Sequence, residues 1–233
     1  MEYKKRKKIS LKLVEKENLR FFRYVFNAVL NVHIDFVTYK VPIKKDKDKE
    51  HVERVFAYEF YRQWFNLLRR NKVKNLVINA EPSKNIIKEI YYNDNGNKKG
   101  IQTVYPDLVL HSSQSSDNSQ KMICEIKREG NGHPSAIAAD LLKLICYTNN
   151  NFYKYRRFEY GIFILYGKSI TLDSIKIEEE AVVIKWHDAG GHEEKFSEYI
   201  KEKDLSRIVC IAYDGNGTSL EYDTLDNIIN KQH

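Results

Sequence analysis

Cysteine is scarce in this 233-residue chain, and the way it is used excludes a disulfide framework. Cys124, Cys146 and Cys210 are odd in number, widely separated and set in apolar runs, so they read as buried free thiols in a reducing compartment. No CxxC occurs. His187 and His192 in WHDAGGHEE have no cysteine or carboxylate companions at zinc-ligand spacing, which argues against a structural zinc site. Long apolar runs are missing as well. No segment approaches membrane-spanning length, and the opening MEYKKRKKISLKLVEKENLR carries charge without the apolar centre of a signal peptide. The expected compartment is the cytoplasm, with no membrane partner and an idle sequon at Asn216-Gly217-Thr218. Three catalytic signatures are also absent: Gly-x-Ser-x-Gly, HExxH and a complete phosphate-binding loop. Gly167-Lys168-Ser169 resembles the tail of such a loop, but the glycine required five residues earlier is Ile162, and Gly161 is one place off. DGNGTS at 214–219 reads as a turn.

Basic charge is present in excess. Lys and Arg number 39 against 32 Asp and Glu, giving +7 and an isoelectric point near 9.0, a balance that suits a polyanionic partner, most commonly nucleic acid. Five of the first eight residues are basic, which describes either a solvated end or a nucleic-acid arm. With 42% hydrophobic and 30% charged residues the chain is globular in composition and long enough to bury a real core. The expected organisation is a basic and apolar extension at 1–50 that packs on a core at 51–167, followed by an extension of the same domain at 168–233.

Periodicity supplies the elements. Leu19–Val41 is apolar and aromatic and is expected to run from a helix into a strand, after which PIKKDKDKE at 42–50 breaks the pattern as a linker or exposed loop. Val52–Arg70 is helical, with Phe56, Phe60, Trp64 and Leu67 recurring every three to four residues. Glu53 falls inside that apolar stripe and Glu59 lies at its edge. A carboxylate on a buried stripe is costly without a partner, so Glu53 is either a first-turn acid favoured by the helix dipole or a member of a metal site. Asn75–Ala80 reads as a strand, 93–100 as a loop, and GNGHPS as a breaker before a helix opened by Pro134 or Ser135, with a stripe of Ile137, Leu141, Leu144 and Ile145. Tyr160–Tyr166 is a continuous apolar run, as expected of a strand covered on both faces. Further strands are expected at Ala181–Trp186 and Arg207–Tyr213, and a short helix at Lys195–Glu202. This alternation implies an α/β fold, a mixed sheet flanked by helices.

The chemistry concentrates between Val104 and Glu129. Two Val-, Ile- and Tyr-rich runs, Thr103–Leu110 and Met122–Lys127, flank the polar stretch HSSQSSDNSQ and read as a hairpin. A turn centred near Ser116 sets Asp107 opposite Glu125, and alternation puts Lys127 on the face of Glu125 while Cys124 and Ile126 take the other. Two opposed carboxylates repel and need a proton or a cation between them. Asp107 and Glu125, with a further acid from Glu53 or Glu81 and the Ile126 carbonyl, supply the hard oxygen ligands that Mg²⁺ prefers. Lys127 would orient a metal-activated water or hold a phosphate as a point charge. Metal-assisted phosphodiester hydrolysis is the expected reaction, the basic excess binding the rest of the backbone. The bland alternative is an ordinary surface ion-pair cluster.

Pro106-Asp107, an interval of eighteen residues and Glu125-Ile126-Lys127 resemble the signature of the PD-(D/E)XK nuclease superfamily, over roughly Glu50 to Gly167. The resemblance implies a restriction-endonuclease-like αβββαβ core with N- and C-terminal additions. It implies Mg²⁺ or Mn²⁺ bound by Asp107 and Glu125, Lys127 assisting the attacking water, and an acid from the first helix, Glu53 or Glu59. Lys143-Leu144-Ile145-Cys146-Tyr147 is similar to the Gln-hydrophobic-x-x-Tyr element of the RecB-like members, with lysine in place of glutamine. DNA is the implied substrate. Specificity would then come from loops, a homodimer or a larger complex, because no separate recognition domain is evident. The competing expectation is a catalytically inactive module of the same fold that binds nucleic acid or a protein.

Overall fold

The computed structural model describes residues 16–38, 47–80, 90–94, 97–100, 106–112, 120–129, 134–149, 157–177, 182–187, 190–217 and 220–232. Helices α1 (Lys16–Leu30), α2 (Ile34–Val37) and α3 (Lys47–Arg70) precede the first strand, β1 (Leu76–Ala80). Strands β2 (Ile90–Asp94), β3 (Asn97–Gly100), β4 (Leu108–Ser112) and β5 (Gln120–Arg128) follow, then helix α4 (Pro134–Asn149) and strand β6 (Tyr160–Tyr166). The chain continues through β7 (Val182–His187), β8 (Gly190–Lys195), α5 (Phe196–Tyr199), β9 (Ile208–Tyr213), β10 (Glu221–Thr224) and α6 (Leu225–Gln232).

The fold is α/β, built on a six-stranded mixed open sheet in the order β1-β4-β5-β6-β9-β10. β5, β6 and β9 run parallel, while β1, β4 and β10 pair antiparallel at the two sides. A parallel neighbour cannot be reached by a tight turn, so the chain crosses from β5 to β6 through α4. Side-chain alternation then sorts the core into two layers. Ile123, Phe163, Leu165 and Cys210 pack with Leu141, Leu144 and Ile145 of α4 and with Leu225 and Ile228 of α6. Cys124, Ile126, Ile162, Ile164, Val209 and Ile211 pack with Phe22, Val25 and Val29 of α1 and Phe56, Phe60 and Trp64 of α3. Both faces of the parallel strands are covered, which is why every residue of β9 is apolar and buried. Cys124, Cys146 and Cys210 are buried free thiols. Among the described residues, no helix is long and apolar enough to cross a membrane.

The expected order of helix, three strands, helix and strand is present in this sheet as α3, β1, β4, β5, α4 and β6. Other expectations are corrected. Leu19–Val41 does not run into a strand: α1 ends at Leu30, His33 Nδ1 accepts from the Asp35 N–H at the start of α2, and 39–46 lie outside the described residues. Contact with α3 keeps this segment helical, because the Phe22, Val25, Phe26 and Val29 stripe is buried as a helix would bury it. Lys47–Glu50, read as linker, belong to the start of α3, and the rest of that linker, 42–46, lies outside the described residues. The expected loop at 93–100 is the β2–β3 hairpin, and residues 95–96 within it lie outside the described residues. β2 pairs with β7 in a second, four-stranded sheet, β3-β2-β7-β8. That pairing joins residues about ninety apart in sequence, so no local pattern announces it. β8 and β10 are likewise not signalled by periodicity, whereas α6 is a further element whose Leu225, Ile228 and Ile229 recur at helical spacing. The basic residues at 1–8 and the polar run 113–119 lie outside the described residues.

Candidate active site

The hairpin register creates the site. Leu108 pairs with Cys124, Val109 with Ile123 and Leu110 with Met122, as a turn centred near Ser116 requires, before a bulge at Leu110/His111 shifts the ladder by one. Continuing that register by one residue sets Asp107 across from Glu125. Oδ2 of Asp107 accepts the Ile126 N–H at 2.7 Å, which ties the carboxyl to the neighbouring strand. Glu125 and Lys127 project to the side of α4, the face of Ile123 rather than that of Cys124 and Ile126. They lie near the C-terminal end of a parallel strand, where open α/β sheets commonly bind ligands.

Helix α4 completes the cluster with two residues one turn apart. Asp140 Oδ2 lies 2.8 Å from Lys127 Nζ, and its Oδ1 lies 2.6 Å from Lys143 Nζ. Lys143 Nζ is in turn 3.3 Å from Glu125 Oε2. A chain of alternating charge, Glu125, Lys143, Asp140 and Lys127, therefore links the strand to the helix. Glu125 and Asp140 are only 3% and 5% exposed, so this is a buried network rather than a solvated ion-pair cluster. Sequence reasoning passed over Asp140 and gave Lys143 no role at the site. The signal was available, because Asp140 lies three residues after Ile137 and four before Leu144, on the buried stripe of α4, where an acid demands a partner.

The electrostatics are unequal across the cluster. Burial pushes the Asp107 carboxyl up to about 7, with Asp140 adding to the rise, against the lowering effect of the Ile126 N–H and the two lysines. Burial raises the Glu125 carboxyl well above the ordinary range, and the charges of Asp140 and Asp107 raise it further despite Lys143. Burial opposes the charge of Asp140 too, but Lys143 and Lys127 outweigh it and hold this carboxyl below its usual value. Lys127 loses some of its proton affinity to burial and more than regains it from Asp140 and Glu53. Lys143 behaves in the same way, its ammonium raised by Asp140 and Glu125. Asp140 is thus the acid of the cluster whose charged form is favoured, both lysines hold their protons more tightly than usual, and burial works against the charge of Glu125.

Two of the candidate further acids come from α3. Glu53 reaches the end of β5 from the opposite face of the sheet, its Oε1 accepting the Arg128 N–H at 3.1 Å. It sits beside the cluster and acts on it through the charge of Lys127. Glu59 is buried and committed to Arg62 and Gln63, whose side chains donate to it at 2.6–2.7 Å. Glu81 lies outside the described residues. Tyr147, one turn beyond Lys143, is buried at the edge of the site, and burial followed by the charge of Glu125 raises its phenol.

Among the described residues, no group of three His, Cys, Asp or Glu side chains is arranged to hold a metal ion. Asp107 and Glu125 are nonetheless two hard oxygen donors from adjoining strands, and buried Oε1 of Glu125 has no hydrogen-bond partner among the described residues. Mg²⁺ characteristically takes one or two carboxylates and fills its remaining positions with water and substrate phosphate, so this donor set fits Mg²⁺ or Mn²⁺ without a third acid. No protein-family model, curated protein or solved structure matches the chain.

Proposed function

We propose that this protein is a metal-dependent nuclease with a restriction-endonuclease-like core, hydrolysing phosphodiester bonds in DNA. The observation that carries the reading is the pair of opposed acids, half-buried Asp107 and buried Glu125, whose carboxyls are raised by burial and by the charge of Asp140, with Asp107 adding to the rise at Glu125, a burden that a divalent cation would relieve. Lys127 on the same strand face supplies the third member of the expected signature. The expected element order about the main sheet supports the core assignment, with β2–β3 inserted between its first and second strands.

Asp107, Glu125 and the Ile126 carbonyl would hold the cation, with Glu53 as the nearby helix acid. When bound, a divalent cation lowers the pKa of a coordinated water and neutralises charge that develops on a phosphate. The remaining work falls to this chain's own side chains. Lys127 stays an ammonium because the charges of Asp140 and Glu53 outweigh its burial, so it serves as a donor and point charge toward the scissile phosphate or the attacking water rather than as a base. Asp140 fixes the position of Lys127 by a 2.8 Å ion pair and is itself fixed by Lys143. The excess of seven positive charges favours approach of a polyanion.

Plasmid nicking tests the proposal. Mg²⁺ or Mn²⁺ is expected to support it, and chelation, Asp107→Ala or Lys127→Ala to abolish it. One observation favours a second reading, a non-catalytic module that binds nucleic acid or a protein: Lys143 already places a cationic group against Glu125. In that case binding survives the same substitutions and no cleavage appears with either metal.

A further inference from the structure

The outward face of α3 carries a pattern that the catalytic cluster does not use. At about 100° per residue, Arg54, Tyr58, Tyr61, Arg62, Phe65 and Arg69 fall within an arc of about 100°, opposite the buried Phe56, Phe60 and Trp64. Between Arg54 and Arg69 no other residue enters that arc, so three arginines and three aromatic rings share one stripe with no acid among them. Two of the rings are largely in solvent, Tyr58 53% and Phe65 45% exposed, while Tyr61 is half-buried and packs against the core. Tyr61 and Phe65 lie nearly parallel, 14° between ring planes with centroids 6.1 Å apart, and so form a small platform. Arg54 and Arg69 are exposed, and Arg62 keeps 60% of its side chain accessible while Glu59, from the buried side, fixes its guanidinium through Nε and Nη2.

Exposed rings cost free energy in water, and rings alone would suit any apolar partner. Interleaved with guanidinium groups, they suit a partner that presents flat apolar faces and a regular negative charge together. Single-stranded nucleic acid does this: its bases stack on aromatic side chains and its phosphates pair with arginine. A duplex does not, because its bases already stack on one another. The stripe also lies in a useful place. It spans about 22 Å from Arg54 to Arg69 at 1.5 Å per residue, and Glu53, immediately before it, binds the Arg128 N–H at the end of β5. The Arg54 end of the stripe thus lies toward the same end of β5 as Glu125 and Lys127, on the opposite face of the sheet.

We infer that the Arg54–Arg69 face of α3 is a binding track for single-stranded nucleic acid, which makes single-stranded or locally unpaired strands the substrate class of the site. The inference rests on the nuclease reading for its substrate clause, but the binding track does not require turnover.

The test is therefore made without metal. Binding of a fluorescein-labelled oligothymidylate to the full chain in chelator is followed by anisotropy across a salt series. Tyr58→Ala with Phe65→Ala is expected to weaken binding about tenfold or more while leaving the salt slope unchanged. Arg54→Ala with Arg69→Ala is expected to lower the slope of log affinity against log salt by about 0.7 for each phosphate that is no longer neutralised. Tyr58→Phe should retain affinity, and Phe65→Leu, which keeps apolar bulk and should fold in any event, should lose it. A duplex of the same base composition should bind more weakly and ignore the ring substitutions. Unchanged binding in both double variants overturns the inference, as does tolerance of Phe65→Leu. So does a change in oligomeric state on loss of the rings, since that would assign the face to a protein partner. Metal-dependent cleavage that ignores these variants sinks the track and spares the nuclease reading; the opposite pattern, binding without cleavage, does the reverse.

Discussion

Replacing Asp107 with asparagine isolates the energetic claim on which the site depends. Burial lifts this carboxyl from its ordinary value of 3.8 to about 7. A folded-state value above the unfolded one means that the folded chain keeps a proton the unfolded chain has released, so stability falls as pH rises between those two values and the full loss is reached above about 7. A gap of about 3 pH units, at about 1.4 kcal/mol per unit, amounts to about 4 kcal/mol. This is an upper bound, because Asp107 keeps some contact with solvent. In a domain of this size about 1 kcal/mol moves the melting midpoint by about 2–4 °C, so the group accounts for up to roughly 8–16 °C between pH of about 4 and 8. Asparagine has the same shape and an oxygen that can accept the Ile126 N–H, but no charge to bury. Thermal unfolding in chelator should show variant and wild type nearly equal at about pH 4 and the variant more stable at about pH 8. Glu125 contributes a dependence of the same sign in both chains, so the difference between the curves is the measured quantity. Saturating Mg²⁺ should raise the midpoint of the wild type at the higher pH and leave the variant where it was. A variant less stable than wild type by the same margin at both values would refute the reasoning, since an unchanging margin would mean that the Ile126 N–H, Lys143 and Lys127 fully offset the burial penalty and leave the Asp107 carboxyl at its ordinary value.

Asp140→Asn should behave in the opposite way, leaving two ammonium groups in the protein without their shared counter-ion at a cost of about 3–5 kcal/mol by denaturant unfolding near neutral pH. Because the Asp140 carboxyl is depressed, its stabilising contribution is present above its ordinary value and fades as the wild type is acidified below it, so the gap between the two chains should close in acid. Gly167→Ala places a methyl group 2.3 Å from Glu129 Cβ, a contact that backbone must move to relieve, and urea titration should show a stability about 1–3 kcal/mol lower. The three thiols should resist alkylation in the folded protein and all react on unfolding, since burial raises the thiols of Cys124 and Cys210 and keeps all three from solvent. Fast labelling of Cys124 or Cys210 under native conditions would show that the sheet opens far more readily than its packing implies.

The amphipathic stripes of α3 and α4, the apolar runs of β6 and β9 and the placing of Asp107 opposite Glu125 were all legible in the sequence, because each follows from a short-range period of two or of 3.6 and from one turn. The bulge that shifts the hairpin ladder beyond Leu110 and the β2–β7 pairing were not, since strand partners far apart in sequence are chosen by packing. The same division runs through the site. Three of its members, Asp107, Glu125 and Lys127, stand on one hairpin and share a local geometry, so residue type and spacing suffice to bring them together. Asp140 and Lys143 join them only because the parallel crossover lays α4 over β5, and Glu53 is set on the far face because α3 packs there. Sequence alone determined which side chains must find charge partners; which partner each one found was decided by the tertiary fold, because pairing across layers depends on how helices dock and not on any interval along the chain.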